Sequence, residues 1–278
     1  MNKKEFNKFF KSYSKNVDNA NKQYFWKLSD DIIIRIIKRH IPIPSHRGKT
    51  ILDAGGGTGR WILILSKYYK TNFILYDLSR DMLRKAKENI SQLDLKKRVK
   101  IIRGNLTNMK SIKNSSIDYI ISIYNPISFI ENKKMAIKEL YRILKKNGQI
   151  LIMGQGYFNA LYSKITNYNA LPQELDNLEK NHKVKWAQYT PELNVFSKET
   201  LEKLLKSQGF NIIKSYGIPI LVQPGVEDFD PENILKSKVS KALENKQFYK
   251  KVLEIEMKYN SQPSLVNRGV NILTVAKK

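Results

Sequence analysis

Two carboxylates and a run of glycines are the residues here whose types and spacing could do chemistry. Asp53 stands just before Gly55, Gly56, Gly57 and Gly59, and Asp77 follows about 20 residues beyond them. Glycines at a turn let the backbone take positive φ and leave no Cβ between main chain and ligand. An acidic residue at that distance is where an α/β nucleotide fold grips a ribose. The chemistry implied is the binding of a nucleoside-like ligand.

The elements that must position these groups are legible from periodicity and punctuation. In TILDAGGGTGRWILILSKYYKTNFILYD, a short apolar run ends in Asp53 and the glycines follow. Trp61, Leu63, Ile64, Leu65 and Tyr68 then recur at helical spacing, and Phe73-Ile74-Leu75-Tyr76 ends in Asp77. That order reads as strand, tight turn, helix, strand. A dinucleotide fold needs G-x-G-x-x-G, and the third glycine would fall on Arg60,. The spacing is instead G-x-G-x-G over Gly55, Gly57 and Gly59, preceded by Asp53. This pattern resembles motif I of the class I S-adenosylmethionine-dependent methyltransferases. A glycine-rich turn without a ligand, or with another cofactor, is the alternative.

The resemblance implies an α/β fold: a seven-stranded, mostly parallel sheet with helices on both faces, an N-terminal helical cover over residues 1–48 and a methyltransferase domain over 49–278. Lid insertions are expected at about 154–196 and 217–265. Its cofactor would be S-adenosylmethionine. Asp53, Gly55, Gly57 and Gly59 would hold the methionine and ribose side, Asp77 the ribose hydroxyls, and Leu78 and Met82 the flanks of the adenine. Asn105 stands where the family usually has Asp, and with Leu106 would meet the adenine; an amide oxygen still accepts a hydrogen bond and its NH2 donates.

Composition narrows the chemistry further. The 278 residues, 41% hydrophobic and 10% aromatic, suit a globular chain with a substantial core,. With no cysteine there is no thiolate metal site, Fe–S cluster or thiol nucleophile, which excludes radical S-adenosylmethionine chemistry and methylation through a cysteine adduct. His40, His46 and His182 lack ligand spacing, so no metal is expected,. The N-terminus lacks a signal-peptide pattern and the longest apolar run is too short to span a bilayer, so the chain reads as cytoplasmic with no membrane partner,. The formal charge of +25 invites a polyanion such as nucleic acid,. The lysines are nevertheless scattered among Ile and Asn, without an RNA-binding signature,.

Along the chain, Phe6, Phe9, Phe10 and Tyr13 mark an amphipathic helix, and a second helix runs from about Leu28 to His40, stopped by Pro42 and Pro44,. Tyr13 resembles the family's tyrosine that closes over the cofactor's methionine end, and Tyr24 and Trp26 would line the acceptor pocket. Ser79 caps a helix to about Gln92; strands are expected at Val99–Gly104, Ile117–Ile123 and Gln149–Met153, with a helix at Met135–Leu144,. Tyr124 and Asn125 fall where the family holds the transferred methyl group. Asn125-Pro126 partly matches the Asn-Pro-Pro-aromatic motif of base amino-methyltransferases, broken here by Ile127 and Ser128. Residues 154–196 show no strand–helix rhythm and are rich in aromatics, Tyr157 among them, as suits a lid,. A helix from Ser197, a strand over Phe210–Tyr216, a basic helical stretch from about Pro231 to Tyr259 and a last strand at Val270–Ala276 complete the reading.

The expected reaction is methyl transfer to an N or O nucleophile. A small metabolite, natural product or modified peptide is the leading acceptor; RNA is the second. A third reading is a non-catalytic binding subunit. Tyr13, Tyr124 and His182 are the base candidates. The oligomeric state is not legible.

Overall fold

The computed structural model describes residues 3–20, 22–42, 48–91, 95, 97–230 and 234–278. His46, Pro44 and the expected boundaries at Gln92 and Pro231 lie outside the described residues. Two helices come first, α1 (Lys3–Ala20) and α2 (Tyr24–His40). On α2, Leu28, Ile32, Ile33, Ile36 and Ile37 recur on one face and are fully buried,. Lys38, Arg39 and His40 close it, where the helix dipole favours positive charge,.

The α/β body then runs β1 (Thr50–Ala54), α3 (Arg60–Ser66), β2 (Asn72–Asp77), α4 (Arg80–Ser91), β3 (Val99–Arg103) and β4 (Ile117–Ser122). After a 3-10 turn at Pro126–Phe129 come α5 (Lys133–Ile143) and β5 (Leu144–Gly156). The excursion that follows holds α6 (Tyr157–Thr166), α7 (Pro172–Asn181), β6 (Lys183–Val184) and β7 (Leu193–Phe196). The chain ends with α8 (Lys198–Lys206), β8 (Asn211–Ile218), α9 (Lys238–Ala242), α10 (Lys246–Tyr259) and β9 (Asn271–Lys277).

Strands β3, β2, β1, β4 and β5 lie side by side and parallel, and β9 then runs antiparallel between β5 and β8. These are the seven strands expected. Two more, absent from that expectation, extend the carboxyl end of β5: β7 pairs with Gln155 and Gly156, and β6 pairs with β7, so the sheet has nine strands. The stretch 154–196 is therefore ordered. Leu178, Val184, Leu193 and Val195 bury together with Ala160 as a small core of its own. All four residues of β7 are buried, which leaves no alternation to betray the strand,. The basic helical stretch to Tyr259 consists of two helices, because Ser237 and Asn245 each cap a new one,.

Successive strand residues enter opposite cores, as the pleat requires. Ile51 joins the cluster containing Phe25, Ile33 and Trp61, whereas Leu52 joins the cluster containing Ile120, Leu140 and Ile150. Both faces of the sheet are covered, so the inner strands read as continuous apolar runs.

One buried charge shapes the second insertion. Glu256 on α10 is fully buried and accepts hydrogen bonds from the backbone N–H groups of Ile220, Leu221 and Val222 at 2.9, 2.8 and 2.9 Å. It fixes the chain leaving β8 against α10. Replacing Glu256 with Ala strands these donors, and the expected loss is roughly 2–5 kcal/mol, read from the urea unfolding midpoint.

Candidate active site

The glycine turn joins β1 to α3 at the carboxyl end of the sheet, where open α/β sheets bind ligands. Its entry is fixed by Gly55 N–H donating to the Tyr76 carbonyl at 2.7 Å. At Gly56 a Cβ would lie 2.5 Å from Asp53 Oδ2 and 2.3 Å from Leu75 Cδ1, so only glycine lets the turn fold down over Asp53. Gly57, with φ +55°, borders open space; the nearest neighbour a Cβ would meet is Met82 Sδ at 3.9 Å. Pro126 packs over Gly55 from the far side.

Asp53 is 1% exposed, and its Oδ2 has no hydrogen-bond partner among the described residues. Burial, with the neighbouring Asp77 charge, pushes its pKa up to about 8,. Asp77 is better supplied: Gly57 N–H donates to Oδ2 at 3.0 Å and Ser79 N–H to Oδ1 at 2.8 Å. Burial nonetheless outweighs these amides and raises its pKa. Leu78, beside it, is exposed, and Met82 is buried beneath. Asn105 is exposed; its Oδ1 accepts from Thr107 N–H at 3.0 Å, so the amide oxygen expected to face the adenine serves its own turn. Leu106 is buried behind it.

The N-terminal helices close over this turn. Asp18 on α1 accepts from Thr58 Oγ1 at 2.8 Å and from Asn89 Nδ2 at 3.2 Å. Tyr13, one turn and a half earlier, stacks on Phe9 and keeps 44% of its surface free. Burial around its hydroxyl, then the Asp18 charge, pushes its pKa up to about 12.

Strand β4 ends in two consecutive left-handed residues, Tyr124 (φ 59°) and Asn125 (φ 70°). Such strain in non-glycine residues persists where the surroundings over-determine it, and it collects at functional sites. Here the Tyr124 hydroxyl donates to Asp30 Oδ1 at 2.5 Å, and Arg60 forms a two-pronged ion pair with the same carboxylate. Burial raises the pKa of Asp30, with Arg60 and Tyr124 drawing part of that back. Burial also holds the Tyr124 hydroxyl well above its ordinary value. Trp26 and Trp61 flank the Tyr124 ring at 5.4 and 6.1 Å, and Phe229 meets Trp26 at 5.4 Å. Asn125 Nδ2 donates to Asn271 Oδ1 at 2.7 Å and to Gln155 Oε1 at 3.3 Å, while its own Oδ1 is buried without a partner among the described residues.

Of the residues expected at the site, Asp53, the glycines, Asp77, Tyr124, Asn125, Tyr13 and Trp26 gather at this end of the sheet. Tyr24 instead packs edge-on against Tyr249 of α10. Tyr157 follows β5 and stacks with His182, which is exposed at the end of α7. Asp30, Arg60, Trp61 and Phe229 were missed. Asp30 carried a signal, because it sits at the helical spacing of Ile33 and Ile37 and so falls on the buried face of α2,.

The parallel sheet and its glycine turn match those of class I S-adenosylmethionine-dependent methyltransferase domains. Residues 51–148 match the family model described as "Methyltransferase domain". A ubiquinone/menaquinone biosynthesis C-methyltransferase of Citrobacter koseri is 28% identical over 109 residues, covering 38% of this chain and 43% of the relative. A putative S-adenosyl-L-methionine-dependent methyltransferase of Methanococcus maripaludis is 26% identical, with a TM-score of 0.52 over 73% of this chain and 87% of that one. The Haloferax volcanii structure of the Trm112 methyltransferase activator with a putative methyltransferase gives 0.59 over 96% of each chain at 14% identity, a likeness of fold. The alignment thus spans less than half the length of the Citrobacter relative.

The residues present fit S-adenosylmethionine. A buried carboxylate oxygen lacks a donor, and at Gly57 a Cβ would meet nothing nearer than Met82 Sδ at 3.9 Å. Asp53 also makes a linkage prediction. Its folded-state pKa of about 8 exceeds the ordinary carboxylate value, so the ligand-free fold binds the extra proton,. Stability contributed by that proton is present at low pH and is lost as pH rises from about 4 to about 8. Asp53→Asn removes this penalty, and at pH 9 the ligand-free variant is expected to be more stable by roughly 1–3 kcal/mol in thermal unfolding, while losing cofactor affinity.

Proposed function

We propose that the protein is an S-adenosylmethionine-dependent methyltransferase acting on an N or O nucleophile of a small metabolite or natural product, modified peptides included. The observation that carries this reading is the buried, unpartnered Asp53 oxygen beside the glycine turn. A fold tolerates such a group where a ligand completes it. When bound, the cofactor supplies an electrophilic methyl group on a sulfonium.

Asp53 and Gly57 would hold its amino-acid and ribose side, Asp77 would accept from the ribose hydroxyls, and Leu78 and Met82 would flank the base. Tyr13 on α1 would cover the methionine end and exclude water. Trp26, Tyr124 and Phe229 supply flat walls for the acceptor, and their ring faces favour a nearby cation,.

The hydroxyls of Tyr13 and Tyr124 are both held above the range of a base at neutral pH. That favours an acceptor already nucleophilic when it arrives, such as a neutral amine, for which positioning suffices. Where a proton must leave, it would pass through the Tyr124 hydroxyl to Asp30, whose buried carboxylate has its proton affinity raised. A carbon nucleophile is the second reading, favoured by the C-methyltransferase named among the relatives. RNA is favoured only by the charge of +25, and would require product formation that falls steeply with salt.

Calorimetry with S-adenosylmethionine tests the cofactor assignment. The chain is expected to bind it, and Asp77→Ala to weaken binding by about 100-fold or more, since both a charged acceptor and the anchor of the Gly57 amide are lost. No heat of binding from the unaltered chain would end the methyltransferase reading. Tyr124→Phe keeps the ring and removes the hydroxyl. Its expected effect is an unchanged cofactor affinity with single-turnover methyl transfer slowed by about 10- to 100-fold for an acceptor that must lose a proton. Equal rates would leave Tyr124 as a wall.

A further inference from the structure

Strands β3, β2, β1, β4 and β5 all begin at one end of the sheet, the end opposite the glycine turn. The five segments that lead into or open them, residues 41–49, 67–71, 92–98, 113–116 and 144–147, hold ten Lys or Arg and one acidic residue, Asp94. The segments that leave β1, β2 and β4 at the other end, residues 55–59, 78–79 and 123–132, hold no Lys or Arg. Lysines that look scattered along the chain are thus sorted by the fold to one end.

Lys70, Lys97, Lys100, Lys113, Lys146 and, in the last turn of α8, Lys203 are exposed there, and among the described residues their ammonium groups make neither an ion pair nor a hydrogen bond. The carboxylates described near this end are already answered. Asp118 is buried between Lys49 and Lys145, at 3.4 and 3.0 Å, and Glu139 holds Arg142 at 2.8 Å. Glu202 lies 3.3 Å from Lys198 and 3.9 Å from Lys206, and Glu88 lies 3.3 Å from Lys85. Helix carbonyl ends also gather here and favour positive charge. They account for Lys278, whose Nζ donates to the carbonyls of Tyr141 and Leu144 at 2.7 and 2.8 Å. They do not account for six exposed ammonium groups that touch no carbonyl. Such a field costs the free fold self-repulsion and attracts a polyanion.

The rest of this end selects among polyanions. Five neighbouring strand starts span about 19 Å, enough to follow several successive phosphates. Exposed Asn72, Asn114, Ser115 and Asn147 stand between the lysines and offer amides and hydroxyls for phosphate and sugar oxygens,. A bilayer asks for apolar side chains to insert, whereas the exposed aromatic of this end, Tyr68, has its ring face taken by Lys38 Nζ at 3.3 Å. With that ring covered there is no platform on which the bases of a single strand could stack. Strands begin and helices end here, so neither a helix nor a ribbon protrudes to enter the major groove of DNA. The shallow minor groove of an A-form duplex, which displays ribose hydroxyls beside its phosphates, suits a broad polar face.

We propose that the basic end of the sheet, where β1 to β5 begin, docks on the phosphate and ribose backbone of double-stranded RNA. The contact lies a strand's length, roughly 15–20 Å, from the glycine turn. It therefore anchors the protein on RNA and does not present an acceptor base to the proposed site. Neither the cofactor assignment nor the identity of the acceptor enters this inference. The sequence shows no RNA-binding signature because these lysines are far apart in the chain, and only the fold gathers them.

Fluorescence anisotropy of the full chain with an RNA duplex of about 20 base pairs, without cofactor, tests the proposal. Binding is expected, with log affinity falling against log salt at a slope of roughly −3 to −5. Lys97→Glu, Lys113→Glu and Lys146→Glu together should lower affinity by about 100-fold. Lys246→Glu, Lys250→Glu and Lys251→Glu on α10 change the net charge equally at another exposed place, and should cost less than about threefold,. All six side chains are exposed, so an unchanged unfolding midpoint confirms that both variants fold. Failure to bind the RNA duplex overturns the proposal. So does an equal loss in the two variants, which is adsorption of a polycation. Binding of a DNA duplex, single-stranded RNA or phosphatidylglycerol vesicles as tightly as the RNA duplex overturns it as well, since the face would then read charge alone.

Discussion

Asp53, buried at a strand tip with one oxygen lacking a donor and with Asp77 at the neighbouring tip, is the constraint on which the rest of the structure depends. Strands β1 and β2 pair in parallel so that Ala54 lies opposite Tyr76, which brings Asp53 and Asp77 to the same end of the sheet. Burial, with the Asp77 charge beside it, raises the Asp53 pKa, and holding Asp53 ionised there destabilises the fold,. The turn between them follows from that proximity. Gly56 has no side chain because Asp53 occupies the space, and the Gly57 amide is spent on Asp77. The two cores that cover both faces of the sheet must offset this local cost,.

The N-terminal helices depend on the same spot. Asp18 reaches the turn through Thr58, and Asp30 reaches it through Arg60, the residue following Gly59. Asp30 also holds Tyr124, so one carboxylate joins the cover, the turn and the tip of β4. Movement of α2 would therefore be felt at the glycines and at the strained pair Tyr124-Asn125 together. An ion pair in this position contributes little net stability, because desolvation of both partners opposes their attraction. Its effect lies in fixing which way Tyr124 points.

The strand–turn–helix–strand around Asp53 was legible because local rules suffice there: glycine spacing, apolar runs and an acidic residue in register. The order of the parallel strands was legible only through the family resemblance, since periodicity says nothing of which strands pair. Strands β6 and β7 were not legible. They are short, and β7 is buried throughout, so neither alternation nor length marks them. Tyr24 was placed in the pocket because it adjoins Trp26 in sequence, yet on a helix neighbours in sequence point in different directions, and Tyr24 meets Tyr249 instead,. Arg60 was read only as a missing glycine. Its partner lies 30 residues away, and a single chain without spatial information cannot pair them.

The same distinction separates the two halves of the site. On the proposed cofactor side the groups are the strand-tip carboxylates and the glycine turn, whose positions follow from the sheet. On the proposed acceptor side, Trp26, Tyr124 and Phe229 come from α2, the segment after β4 and the second insertion, and tertiary contacts alone bring them together. Trp26 shows the dependence most directly: its indole Nε1–H donates to the Asp228 carbonyl at 2.6 Å, so its ring orientation is set by a segment 202 residues further along the chain. Asp228, fully buried, takes the Ser240 hydroxyl in turn, and Ser240 Oγ accepts from Phe25 N–H beside Trp26. The loop closes on itself. A change in the second insertion would therefore reorient Trp26 and Phe229, the proposed acceptor walls, while leaving the glycine turn and its two aspartates in place.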